Sequence, residues 1–257
     1  MDDRSEGGGE RTTSDFNELS HLINAHLSDE DRDQVSMKLR DKNQLRRFKV
    51  SVEILAQFLD EGLALVRGTE DQRIQAWRRC VAWVEELWTA AVELWKSGHN
   101  SVAVALSITT IEESGKLAAE RFRLLGVNGI NLGPDGMRAW RCRQRPFRDH
   151  FTKHVLAATA GASINARIDR VLGIQFVNAF LDAAENQRLE TFRQRCLYLD
   201  HAGGLHIPSA TVTRDNAAKY VALAGELFAE LIPMPDEWSR VLDQVKEFEQ
   251  VAGIPYE

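Results

Sequence analysis

No apolar run in the 257-residue sequence approaches the roughly 18 residues that a membrane-spanning helix requires, and the opening "MDDRSEGGGE" lacks the basic-then-apolar order of a signal peptide. A soluble, cytoplasmic protein with no membrane partner is therefore expected. Cysteine is scarce: Cys80, Cys142 and Cys196 are odd in number, far apart and without a CxxC pair. That excludes a disulfide framework and a cysteine zinc site, and the thiols are expected to be buried and reduced. An excess of positive charge is also missing, since the formal net charge is -6, which argues against a protein that coats nucleic acid over its whole surface. Finally, no segment alternates with period two and no fixed-length repeat recurs. The fold class is all-α, an antiparallel helical bundle with short connections and an additional helical N-terminal extension.

Hydrophobic residues make up 44% of the chain, enough for a substantial core. Residues 1–14 are polar and Gly-rich and are expected to be disordered; 15–75 read as a helical extension, 76–235 as the bundle domain and 236–257 as a helical tail. The clearest periodicity starts near Gln75, where Trp77, Cys80, Val84, Trp88, Ala91 and Trp95 recur at steps of three and four, predicting one buried helical face. Ser97-Gly98 ends that helix, and a second runs from about Ser101 to Leu124 before the loop "GVNGINLGPDG". A third is expected to begin at Pro146. A fourth spans roughly Ser163 to Leu199 with a break near Gly173, and Thr213 caps a fifth that Pro233 and Pro235 end.

Charge is placed oddly in the second helix. The stretch "SVAVALSITT" has no charged residue, yet "IEESGK" follows it directly. Lys116 is four residues from Glu112 and three from Glu113, so it can pair with either carboxylate. A helix that is apolar or small on every face is buried on all sides, where carboxylates are costly without partners. Gly115 adds about 1 kcal/mol of helix-propensity cost, which is explained if another backbone approaches closely. The partners are expected on the third helix, where Phe147, His150, Phe151 and His154 follow helical spacing and Lys153 lies three beyond His150. Upstream, "RAWRCRQRPFRDHFTK" is a basic patch of Arg138, Arg141, Arg143, Arg145, Arg148 and Lys153 against Asp149 alone. A metal centre is not expected. Where a di-iron bundle would place the His of Glu-x-x-His, Lys116 offers a protonated amine, and Lys153 would repel a dication from His150-x-x-x-His154.

Three elements in this order, Glu112-Glu113-x-Gly115-Lys116, His150-x-x-Lys153, and Leu197-Tyr198 with Pro208, resemble the AbiV abortive-infection family, a branch of the HEPN superfamily of small helical domains. The resemblance covers about Cys80 to Leu231. It implies an antiphage protein whose fold, where active, is a metal-independent endoribonuclease that needs no cofactor. It further implies an Arg-x4-6-His motif, often paired across a homodimer. Two readings fit: Arg145 with His150, and Arg148 with His154. The first is preferred because His150 also begins the His-x-x-Lys element, although Pro146 stands where active relatives often carry a polar residue. On this reading Arg145, His150, Lys153 and Glu113 are the catalytic candidates, and Arg143, Arg148, His154, Lys116 and Glu112 the RNA-binding ones. His150, with an ordinary pKa of about 6.5, suits general acid or base work; Arg145, Arg148 and Lys153 suit the scissile phosphate. RNA is the expected partner, followed by a second copy of the chain. A non-catalytic interaction module that binds a phage-encoded or host protein is the alternative.

Overall fold

A computed structural model describes residues 68–124, 150–157, 166–199, 206–210, 212–230 and 235–254. The stretch 1–14, expected to be disordered, and the helical extension expected up to Arg67 lie outside the described residues, as do Cys142 and Pro146.

Helix α1 (Glu70–Lys96) starts five residues before the periodicity, because Thr69 and Gln72 form a capping box. The Gln72 N–H donates to Thr69 Oγ1 (3.3 Å) and the Thr69 N–H donates to Gln72 Oε1 (2.9 Å). The aromatic stripe is the core face: Trp77, Val84, Trp88, Ala91 and Trp95 are buried, and Cys80 is half-buried. Ser97 caps α1, Gly98 turns the chain at φ +81°, and α2 (Asn100–Leu124) returns beside it. Ser107, Thr109 and Thr110 survive in this helix because their hydroxyls donate to carbonyls four residues back, at 2.8, 3.0 and 2.9 Å.

Helix α3 (His150–Ala157) packs against α2. The expected single fourth helix is three: α4 (Ala166–Leu172), α5 (Ile174–Glu185) and α6 (Arg188–Leu197). Gly173, at φ +82°, makes the first break as expected. The second is a correction, and its cause is local. The Asn186 side chain donates to the Asp182 carbonyl (2.8 Å), competing with the helix, and Gln187 turns left-handed at φ +59°. A short 3-10 turn (Pro208–Ala210) precedes α7 (Arg214–Glu230), capped by Thr213, whose hydroxyl accepts from the Asn216 N–H at 3.2 Å.

Every residue of α7 from Val221 to Ala229 is buried, so this is the central helix, touching α1, α2, α4 and α8. Pro235 does not end α7. It is the first residue of α8 (Pro235–Ala252), a position where its missing N–H costs nothing. Phe248 of α8 meets Trp88 and Trp95 edge-on, with ring centroids 6.3 and 5.2 Å apart, and Trp88 donates from Nε1 to the Val221 carbonyl at 3.0 Å. Two fully buried carboxylates also join these helices. Arg167 of α4 places Nη2 2.6 Å from Glu226 Oε1 and 3.6 Å from Glu249 Oε2. Burial pushes Glu226 up to about 8, opposed by Arg167 and reinforced by Glu249. Burial also raises Glu249. The described residues contain no strand, and no described helix is long and apolar enough to cross a membrane.

Candidate functional site

The charged end of α2 faces α3, and one glycine decides how closely. A Cβ built on Gly115 would stand 2.4 Å from the Lys153 carbonyl oxygen and 3.2 Å from the Ala157 Cβ. Only a residue without a side chain lets the two backbones meet there. The contact brings Lys153 onto Glu112. Their side chains form a buried ion pair between Nζ and Oε1, with Lys153 at 3% and Glu112 at 5% exposure. His154, also buried, sets Nε2 3.8 Å from the other Glu112 oxygen. One carboxylate thus faces an ammonium and an imidazole from successive residues of α3, and its desolvation is offset by both.

Glu113 and Lys116 lie outward of this core. Lys116 Nζ sits 2.5 and 2.7 Å from the two Glu113 oxygens, and both side chains are about a quarter exposed. The two carboxylates of "IEESGK" have therefore divided their roles: Glu112 ties α2 to α3, and Glu113 holds Lys116 along its own helix. Of the sequence-derived candidates, Glu112, Glu113, Lys116, Lys153 and His154 come together here. His150 is the first residue of α3, and only its backbone is described. Arg143, Arg145 and Arg148 lie outside the described residues.

Helix α6 contributes what the sequence did not single out. Arg193 grips Glu190 through two bonds, Nε to Oε2 and Nη2 to Oε1, both 2.8 Å. The Glu190 hydrogen bonds hold its guanidinium above its ordinary pKa despite burial, and the fields of Glu112 and Tyr198 add to the shift. Its helix, α6, packs against α2, which carries Glu112. The only sequence signal was the i, i+3 spacing of Glu190 and Arg193, which is common on helix surfaces. The segment after α6 is tied back to the bundle. His206 Nε2 and the Arg195 carbonyl are 2.9 Å apart, and the Ser101 hydroxyl donates to the Pro208 carbonyl. Cys80 and Cys196 are thiols outside any disulfide, and burial pushes Cys196 up to about 11.

Neither the curated proteins nor the solved structures contain a match to this chain. A family model does match, and it spans the elements that build the site: α1 from its first turn, the α2 carboxylates, α3, α6 and nearly all of α7. That model is AbiV, of the HEPN group, over residues 72–229, and the chain belongs to this family.

Proposed function

We propose that this abortive-infection HEPN protein is an endoribonuclease that cleaves RNA without a metal ion and so stops translation in an infected cell. The observation that carries the reading is the buried Glu112–Lys153 pair, with His154 against the same carboxylate. It fixes the start of α3, where His150 stands, against a helix that cannot shift because Gly115 leaves no slack. A general acid or base needs such fixed placement more than it needs contact with many groups.

The reaction follows from the residue types. The ribose 2'-hydroxyl attacks phosphorus, the bond from phosphorus to O5' breaks, and the products are a 2',3'-cyclic phosphate and a free 5'-hydroxyl. His150 of one protomer takes the 2'-hydroxyl proton, and His150 of a second copy returns a proton to O5' in a homodimer. Arg145, Arg148 and Arg143 neutralise the phosphate as charge builds on its oxygens. Lys153 and Glu112, being buried and paired, are positioning residues. Glu113 acts through Lys116, which is exposed enough to meet a phosphate.

The burial of Lys153 also favours a second reading, a non-catalytic HEPN module that binds a phage-encoded or host protein, because an ion pair consumed inside the core is what a purely structural lock requires. Growth of cells expressing wild type beside His150→Ala separates the two. Toxicity that vanishes in the variant supports the nuclease, and toxicity or phage protection that persists supports the module.

A further inference from the structure

Leu197, Tyr198 and Leu199 are consecutive and exposed at 39, 60 and 64%, and Ile207 is exposed as well. Single exposed hydrophobics need no explanation, but three in a row at the end of a helix form a patch. The patch is held in place. The Tyr198 N–H donates to the Gln194 carbonyl, its backbone is extended at φ -116° and ψ 143°, and beside it the His206 ring nitrogen Nε2 lies 2.9 Å from the Arg195 carbonyl. It also lies at the end of a helix that borders the candidate site, since α6 packs against both α2 and α3. Helix α6 carries Arg188, Arg193 and Arg195 against Glu190 alone, a basic element on an acidic protein.

We propose that Tyr198, flanked by Leu197 and Leu199 at the end of the basic helix α6, is a stacking platform for an unpaired base of single-stranded RNA entering the site. The proposal rests on the nuclease reading and names its substrate class. An exposed aromatic ring at the end of an Arg-rich helix matches a single strand, whose bases offer flat apolar faces and whose phosphates offer negative charge at each step. A duplex keeps its bases stacked on one another and presents the charge alone. The positive charge of α6 favours a polyanion over an apolar protein helix as the occupant.

The test uses the full chain and a dye-labelled 2'-O-methyl oligoribonucleotide of about 12 nucleotides, which lacks the nucleophile and stays intact, beside its duplex; affinity is read by fluorescence anisotropy. Wild type should prefer the single strand. Tyr198→Ala should weaken that binding by about 5- to 150-fold, the loss of one base–aromatic stack, and leave duplex binding nearly unchanged. Tyr198→Phe should bind like wild type, because the ring and not the hydroxyl is used. A Tyr198→Ala protein with unaltered single-strand affinity overturns the platform while leaving the nuclease reading intact. If it instead loses self-association, the patch belongs to a second copy. Wild type that binds neither probe removes both readings together. Since Tyr198 is more than half exposed, the variant should fold, and an unchanged melting curve confirms that the loss is one of binding.

Discussion

Replacing Gly115 with alanine would test the geometry on which the site depends. In an ordinary helix this change is favourable by about 1 kcal/mol, because alanine loses less backbone freedom on folding. Here the added methyl would stand 2.4 Å from the Lys153 carbonyl oxygen, against a carbon–oxygen contact of roughly 3.3 Å, so α3 must retreat by about 1 Å. The obstacle is backbone, which cannot rotate away as a side chain can. Overpacking of this kind costs about 1–3 kcal/mol, and a backbone obstacle belongs at the upper end. Net of the propensity gain, Gly115→Ala should lose about 2 kcal/mol, a fall of roughly 4–8 °C in Tm for a domain of this size. Thermal unfolding followed by circular dichroism reads this directly. A variant that melts at or above wild type would mean that α2 and α3 are not in contact at this residue, and the placement of Glu112 against Lys153 would fall with it.

The buried pair makes a related prediction. Glu112→Ala strands the Lys153 ammonium and should cost about 3–5 kcal/mol in urea denaturation, whereas the double variant Glu112→Leu with Lys153→Met should recover most of that loss. A double variant as unstable as the single one would show that the charges are not what matters there. Trp88→Ala should cost about 3–5 kcal/mol and leave little soluble protein, since it empties the space against Phe248 and strips the Val221 carbonyl of its donor. Near-normal stability would remove that face from the core. The Glu226–Glu249 pair sets a pH dependence. Glu226 is raised from 4.5 to about 8, so between those values the folded protein keeps a proton that the unfolded chain has released. Its contribution to stability is therefore fully present below about pH 4.5 and is lost as pH rises toward 8. Tm should decline across this window, and Glu226→Gln, which imitates the protonated acid, should flatten the decline. An identical slope in the variant would place the titration elsewhere.

The bundle was legible where periodicity is strong and unlegible where a polar residue decides. The α1 stripe announced its buried face because Trp77, Trp88 and Trp95 recur with Val84 and Ala91 at helical spacing, whereas Trp83, off that spacing, is exposed. Thr69 and Gln72 were also readable as a capping box, yet the start of α1 was set from hydrophobic spacing, five residues late. Asn186 and Gln187 gave no such warning, since Gln has no preference for the left-handed region and an Asn side chain bonds a carbonyl four residues back only in some helices. In the site, Gly115 signalled a close backbone approach, and the structure supplies the backbone that approaches, at Lys153. What spacing could not give was the choice of partners. Lys116 had two carboxylates in reach and took Glu113, because Glu112 points inward to a cation on another helix. Arg193 and Glu249 were invisible for the same reason: each resembles a surface residue of its own helix, and only its neighbours in space make it otherwise; Glu226, inside the apolar run from Val221 to Ala229, carried the same signal as Glu112 and was not read.

The nuclease reading is tested most directly by incubating purified protein with varied single-stranded RNAs in excess EDTA and analysing the ends of any fragments. The account predicts that wild type cleaves, that the fragments carry 2',3'-cyclic phosphate ends, and that His150→Ala is inactive while its fold is unchanged, because the 2'-hydroxyl is the nucleophile and no metal-bound water takes part. Wild type that leaves every RNA intact, or cleavage that survives the loss of His150, would contradict it.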